Sequence, residues 1–199
     1  MDLRFAPALR ELNRLLGAAA VDLDTQLRYA VLGGLAVSTW GVIRATQDID
    51  FLADSDPSPI QNQALRDQLA KFIERQNCRA YWRVGDYDDP IPLLLKIELP
   101  AALASIEADI LWAHKSWQRE ALVRAVGVEV EGDPIPVLHP EDLILMKLEA
   151  GGPQDFLDVQ QLLSVAPPQL SVTRLKETAA RLRLGKVLEK CLRKVNSRK

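Results

Sequence analysis

"GGLAVSTWGVIRATQDIDF", residues 33–51, puts two unlike demands on one segment. It opens on adjacent glycines, Gly33 and Gly34, and closes on two acids one residue apart, Asp48 and Asp50. "DIDFLA" alternates acid and apolar, the period of a strand. On a strand, residues i and i+2 share a face. Asp48 and Asp50 therefore point one way and Ile49 and Phe51 the other, toward the core. Two carboxylates about 5 Å apart repel by roughly 3 kcal/mol at an effective dielectric near 20. A divalent cation removes that conflict, and Mg²⁺ favours carboxylate oxygens together with phosphates and water. The glycines follow the strand-like "LRYAVL" and precede the helix-like "LAVSTW". There the backbone can approach a phosphate, and a helix start presents free N–H groups. Alone, a Gly-Gly pair is most simply a turn, and an Asp-x-Asp a solvated strand edge. In this order, with 13 residues between Gly34 and Asp48, they outline a site for a nucleotide and a metal.

Working outward, "APALRELNRLLGAAAV" carries leucines at helical spacing. A strand is expected over 29–32, then a two-turn helix stopped by Gly41. Ser58 and Pro59 read as the cap and first position of a helix whose buried stripe is Leu65, Leu69, Phe72 and Ile73. "RAYWRV", "IPLLLKIEL" and "EADILWA" read as strands, with residues 85–90 a loop between the first two. "SWQREALVRAV" reads as a helix. "IPVLHPEDLILMKLEA" reads as a short strand, then a helix begun at Pro140. A break at 151–153 separates it from "QDFLDVQQLL", and one or two helices follow, fraying at the end. Strands and helices alternate first and helices dominate later. The expected fold is therefore α/β (α+β): a mixed sheet flanked by helices over residues 1–138, and a helical region over 139–199 packed on that core.

The 199 residues are 48% hydrophobic and 26% charged, ordinary for a globular domain. The net charge of −2 conceals a basic tail. Residues 174–199 hold ten Lys/Arg against two Asp/Glu, +8, leaving −10 for the remainder. Such a tail suits nucleic acid or an acidic partner, or simply a solvated helix face. Cys78 and Cys191 match no metal spacing and read as reduced thiols. His114 and His139 do not pair with acids or cysteines at zinc spacing. The four tryptophans read as core. The N-terminal stretch lacks the unbroken apolar centre of a secretory signal, and no stretch reaches the length of a membrane span. The expected setting is cytoplasmic.

Gly33-Gly34, followed by Arg44-x-Thr46-x-Asp48-Ile49-Asp50-Phe51, resembles the signature of the DNA polymerase beta-like nucleotidyltransferase superfamily. More narrowly it is similar to the bacterial branch containing AbiEii-type toxins of abortive-infection and toxin–antitoxin systems. That pattern implies a third carboxylate on a nearby strand. Asp109 in "ASIEADILWA" matches it, with Glu107, two residues earlier on the same face, as competitor and a solvated strand end as the alternative. "HPEDLILMKLEAGGPQDFLDV" resembles the family's later helical motif. The resemblance implies that Lys147 contacts nucleotide phosphates and that Asp155 and Asp158 form an acidic pair. Relatives carry an arginine just before that pair, where this chain has Gly151-Gly152-Pro153.

The implied function is transfer of an NMP from an NTP to a hydroxyl of RNA, tRNA included, or of protein, with a toxin role and a cognate antitoxin as its setting. Asp48, Asp50 and Asp109 would hold two Mg²⁺ or Mn²⁺ ions. Gly33 and Gly34 would cradle the phosphates, and Arg44 and Thr46 would orient the loop or the triphosphate. The alternative is a non-catalytic nucleotide-binding regulatory or antitoxin-like protein on the same fold.

Overall fold

The computed structural model describes residues 5–86, 89–103 and 106–197. Tyr87 and Asp88 of the expected loop and the last two residues of the chain lie outside the described residues. A helix α1 (Ala6–Asp22) is followed by strand β1 (Gln26–Leu32), helix α2 (Gly33–Thr39) and strand β2 (Ile49–Asp56). Next come α3 (Gln63–Glu74), β3 (Arg79–Val84), β4 (Leu93–Glu98), β5 (Glu107–Trp112) and α4 (Ser116–Val123). A hairpin of β6 (Val126–Val130) and β7 (Asp133–Val137) leads to α5 (Pro140–Ala150), α6 (Pro153–Val165), α7 (Val172–Arg181) and α8 (Gly185–Asn196). The mixed α/β architecture expected above is what forms.

All seven strands join one sheet in the order β3-β4-β5-β2-β1-β7-β6. β2 runs antiparallel to β1 and parallel to β5, and β4 is antiparallel to β5. Alternation along the strands divides side chains between two unequal faces. Ile49, Phe51, Leu93, Leu95, Ile97, Ala108 and Ile110 are fully buried in the main core, with the leucines of α1 and the stripe of α3. The other face is covered more thinly. There Leu52 and Ala30 meet Ala121 and Leu122 of α4 in a small second cluster. Asp50, two residues before Leu52, belongs to this thinly covered face. The sheet thus has one sealed side and one side with room for a ligand.

Several expected boundaries shift. β1 begins at Gln26, three residues earlier than expected, because β2 pairs with it from Asp50 to Asp56. The two glycines lie inside the first turn of α2 rather than before it. Ser58 accepts the Ile60 N–H and caps only a single 3₁₀ turn (Pro59–Gln61); Asn62 accepts the Leu65 N–H and caps α3. The helix read through Val126 ends at Val123, since the chain then enters a hairpin. Glu131 and Gly132, both at positive φ (49° and 96°), make its turn. Gly41, at φ 94°, ends the α2 region as expected, its N–H donating to the Ser38 carbonyl. Three tryptophans, Trp40, Trp112 and Trp117, are buried, and Trp82 packs 5.4 Å from Trp112. Among the described residues no helix is long and apolar enough to cross a membrane.

Phe51 is the buried counterweight that keeps Asp50 on the open face, because a one-residue slip would exchange them. Phe51→Ala should lower stability by about 3–5 kcal/mol, read from urea unfolding.

Candidate active site

The parallel register of β2 and β5 sets Asp50 directly beside Asp109. Asp48 stands just ahead of β2 on the same side, and its Oδ1 accepts the Thr46 hydroxyl at 3.0 Å. Glu107, the competitor, starts β5 opposite Glu98 of β4 and does not line the cleft that the other acids share. That cleft, about 400 Å³, is walled by Gly33, Gly34, Arg44, Asp48, Asp50, Asp109, Lys147 and Asp155. Of the expected site residues, Thr46 touches it only through Asp48, and Asp158 lies behind it. A hollow of about 610 Å³ is larger. It shares no lining residue with the cleft, and its charges are already matched, Arg10 to Asp133 and Arg14 to Glu11.

The glycines are required by close approach. Gly33 has φ 66°, and a methyl group in place of its hydrogen would collide with the Asp50 carboxylate. A methyl group on Gly34 would sit 2.8 Å from Thr46 Oγ1 and 3.3 Å from Arg44 Cζ. The residues after α2 therefore fold back over the glycine turn and bring Arg44, Thr46 and Asp48 to one place.

The carboxylates are imperfectly compensated. Burial, then the nearby charges of Asp48 and Asp109, push the Asp50 carboxyl up to about 7, against the opposing pull of Lys147 and Arg44. Among the described residues no lysine or arginine forms an ion pair with Asp48 or Asp50. Asp109 differs, since Lys96 on β4 donates to its Oδ1 at 2.6 Å. Lys96 escaped the sequence reading. Its signal was a single cation in the apolar run "PLLLKIEL", whose cross-strand partner only the register reveals. Arg83 also lines the cleft and pairs with Asp89 at 2.8 Å; nothing in "RAYWRV" distinguishes it.

The cationic side of the cleft is assembled by a buried acid. Asp158 on α6 is fully buried, accepts from Arg44 at 2.6 Å and Gln154 at 2.9 Å, and pairs with Lys147 at 2.7 Å. Lys147, itself buried on α5, also donates to Asp155 Oδ1 at 3.0 Å. Asp155 Oδ2 takes the Gly152 N–H at the start of α6. Lys147 and Asp158 are buried, whereas Asp155 keeps 26% of its side chain exposed. Arg44 reaches Asp158 across the fold, from 114 positions earlier in the chain.

The acids, the glycine turn and the cations Lys147 and Arg44 therefore line one cleft on a mixed sheet. A family model described as "Nucleotidyltransferase of unknown function (DUF6036)" matches residues 9–184. This chain belongs to that nucleotidyltransferase family. No curated protein matches it in sequence. Among solved structures, ANT(2")-Ia in complex with adenylyl-2"-tobramycin is 17% identical with a TM-score of 0.50, covering 89% of this chain and 97% of that one. A nucleotidyltransferase-like antigenic protein from Paracoccidioides brasiliensis is 15% identical with a TM-score of 0.48, over 93% and 92% of the two chains. Terminal uridylyl transferase 4 from Trypanosoma brucei, with bound UTP and UMP, gives 14% identity and a TM-score of 0.34 over 79% of this chain and 51% of that one. The first of these likenesses shows that this chain shares the fold of that structure. Among its described residues, no three His, Cys, Asp or Glu side chains come together as a ready-made metal cage.

Two outcomes follow from this geometry. Asp158→Ala leaves the buried Lys147 ammonium short of its closest carboxylate and should cost about 3–5 kcal/mol in chemical denaturation. For Asp50, the folded chain holds its proton more tightly than the unfolded chain does. Its contribution to stability is therefore fullest below pH 4 and is lost as pH rises to about 7. Asp50→Asn should be the more stable form at pH 8 without metal, by about 4 kcal/mol, with the difference vanishing near pH 4. Thermal unfolding of both forms across that range measures it, and added Mn²⁺ should narrow the gap at pH 8.

Proposed function

We propose that this family member is a Mg²⁺- or Mn²⁺-dependent nucleotidyltransferase that moves an NMP from an NTP to a hydroxyl of RNA or protein. The observation that carries the reading is one cleft shared by Asp48, Asp50 and Asp109, the Gly33-Gly34 turn and the cation Lys147. The acids suit a hard divalent ion: their donors are carboxylate oxygens, and Asp50, raised by burial and then by the neighbouring acids, would be relieved by a cation. Asp48 and Asp50 would hold the ion, with Asp109 beside them. Once bound, it supplies charge neutralisation at the triphosphate and a lower pKa for the attacking hydroxyl.

The chain's own groups then have separable tasks. Backbone N–H groups at Gly33 and Gly34 bind phosphate oxygens at the start of α2. Lys147 and Arg44, oriented by Asp158, present positive charge to the polyphosphate. The acceptor oxygen attacks the α-phosphorus, its bond to the leaving pyrophosphate breaks, and the hydroxyl proton passes to Asp109 or water. No covalent enzyme intermediate is required. On this reading residues 1–138 form the catalytic core and 139–199 close its phosphate side. NTP use and two buried free cysteines suit a cytoplasmic setting. The motif from Gly33 to Phe51 supports a toxin of the AbiEii type, paired with an antitoxin.

A second reading is favoured by one specific observation. Lys147 and Arg44 are already tied to Asp158, as in a pocket that binds a nucleotide without turning it over. Incubation with Mg²⁺, α-labelled NTPs and bulk tRNA or cell lysate separates the two. Label should enter RNA or protein with wild type, and Asp48→Ala should reduce transfer by 100-fold or more. Tight NTP binding with no labelled product from any NTP would favour the binding-only reading. Under the toxin reading, induction slows growth and Asp48→Ala relieves it.

A further inference from the structure

The order β4-β5-β2 puts three charged residues in a line across the open face of the sheet. Lys96 is the register partner of Asp109, and Asp109 is the register partner of Asp50. Side chains directly opposite one another on neighbouring strands start about 5 Å apart. Lys96 therefore reaches Asp109 with little extension, and its Nζ lies 2.6 Å from Oδ1. This contact is not a chance surface pair. Leu95 and Ile97, the neighbours of Lys96 on β4, are fully buried on the opposite face, so the strand cannot turn Lys96 away without exposing both. Both members are largely withdrawn from solvent, with side-chain exposures of 28% and 22%. Lys96 also stands apart from the cations of the phosphate side, which are held by Asp158 and Asp155. The charge of Asp109 is thus matched within the sheet. Asp48 and Asp50 have no such partner among the described residues, and the acids form no common cage.

We propose that Lys96 is the built-in cation of this site: it takes the place of a second divalent ion at Asp109, so that the chain binds one catalytic metal, through Asp48 and Asp50. The proposal rests on the nucleotidyltransferase reading above. A lysine is a compact point charge, well suited to neutralise one carboxylate and fix its orientation. It supplies no open coordination position. The acceptor hydroxyl would then be oriented by Asp109 as Lys96 holds it, rather than by a metal bound there. Lys96 acts through Asp109 and is a positioning residue.

The number of bound ions tests this independently of turnover. The full chain is titrated with Mn²⁺ in the presence of a non-hydrolysable α,β-methylene NTP, and bound Mn²⁺ is counted by electron paramagnetic resonance. Wild type should bind one ion per chain, beyond what free nucleotide takes up, with an uncoupled spectrum. Lys96→Met, which keeps the aliphatic stem, should bind two, with the broadening of a metal pair about 3.5–4 Å apart. Lys96→Arg should return to one. Two ions in wild type would overturn the proposal and leave the nucleotidyltransferase reading intact. One ion in both wild type and Lys96→Met would overturn it equally. No ion in wild type or variant, with nucleotide present, would remove the metal-dependent reading and this proposal together. The wild-type count alone decides the first point if Lys96→Met does not fold.

Discussion

The parallel pairing of β2 with β5 is the constraint on which the site depends. It brings acids almost sixty positions apart in sequence into adjacent register positions, Asp50 beside Asp109. The same pairing sends Ile49, Phe51, Ala108 and Ile110 into the main core. Apolar burial, worth roughly 25 cal/mol per Å², thus holds in place two like charges that would separate if free. The cost falls on Asp50, whose carboxyl is pushed up to about 7 by burial first and then by the charges of Asp48 and Asp109. The core stabilises what the site destabilises, and the strands carry both on opposite faces.

Much of this was legible in residues 33–51. The alternation of "DIDF" assigned Asp48 and Asp50 to one face and Ile49 and Phe51 to the other, and burial follows that division. Gly41 announced the end of α2. What the sequence could not announce is pairing between distant strands. Lys96 looked like a stray charge in an apolar run because its partner is thirteen residues away on another strand. Arg44 gave no sign that it reaches Asp158, 114 positions later. The β6–β7 hairpin had a local signal, the alternation of "VGVEV" followed by Glu131-Gly132, which the preceding helical pattern obscured.

The site also separates two kinds of glycine. Gly132 and Gly41 serve the backbone, turning a hairpin and ending a helical segment at positive φ. Gly33 serves the side chain of another residue, since its missing methyl group is the space in which the Asp50 carboxylate lies. A sequence pattern that pairs Gly-Gly with Asp-x-Asp is therefore partly a steric statement. The first glycine makes room for the last acid.

Asp158 gives the molecule an order of assembly. Arg44 and Lys147 lie on different parts of the fold and converge only because α6 delivers a buried carboxylate between them. As the chain leaves the ribosome, the sheet and its three acids are made before that carboxylate emerges, and N-terminal portions fold first. The nascent protein passes through a stage with its acidic half present and its cationic half unanchored. The cationic side of the cleft therefore waits on α6, which follows every strand of the sheet and all three acids in the chain.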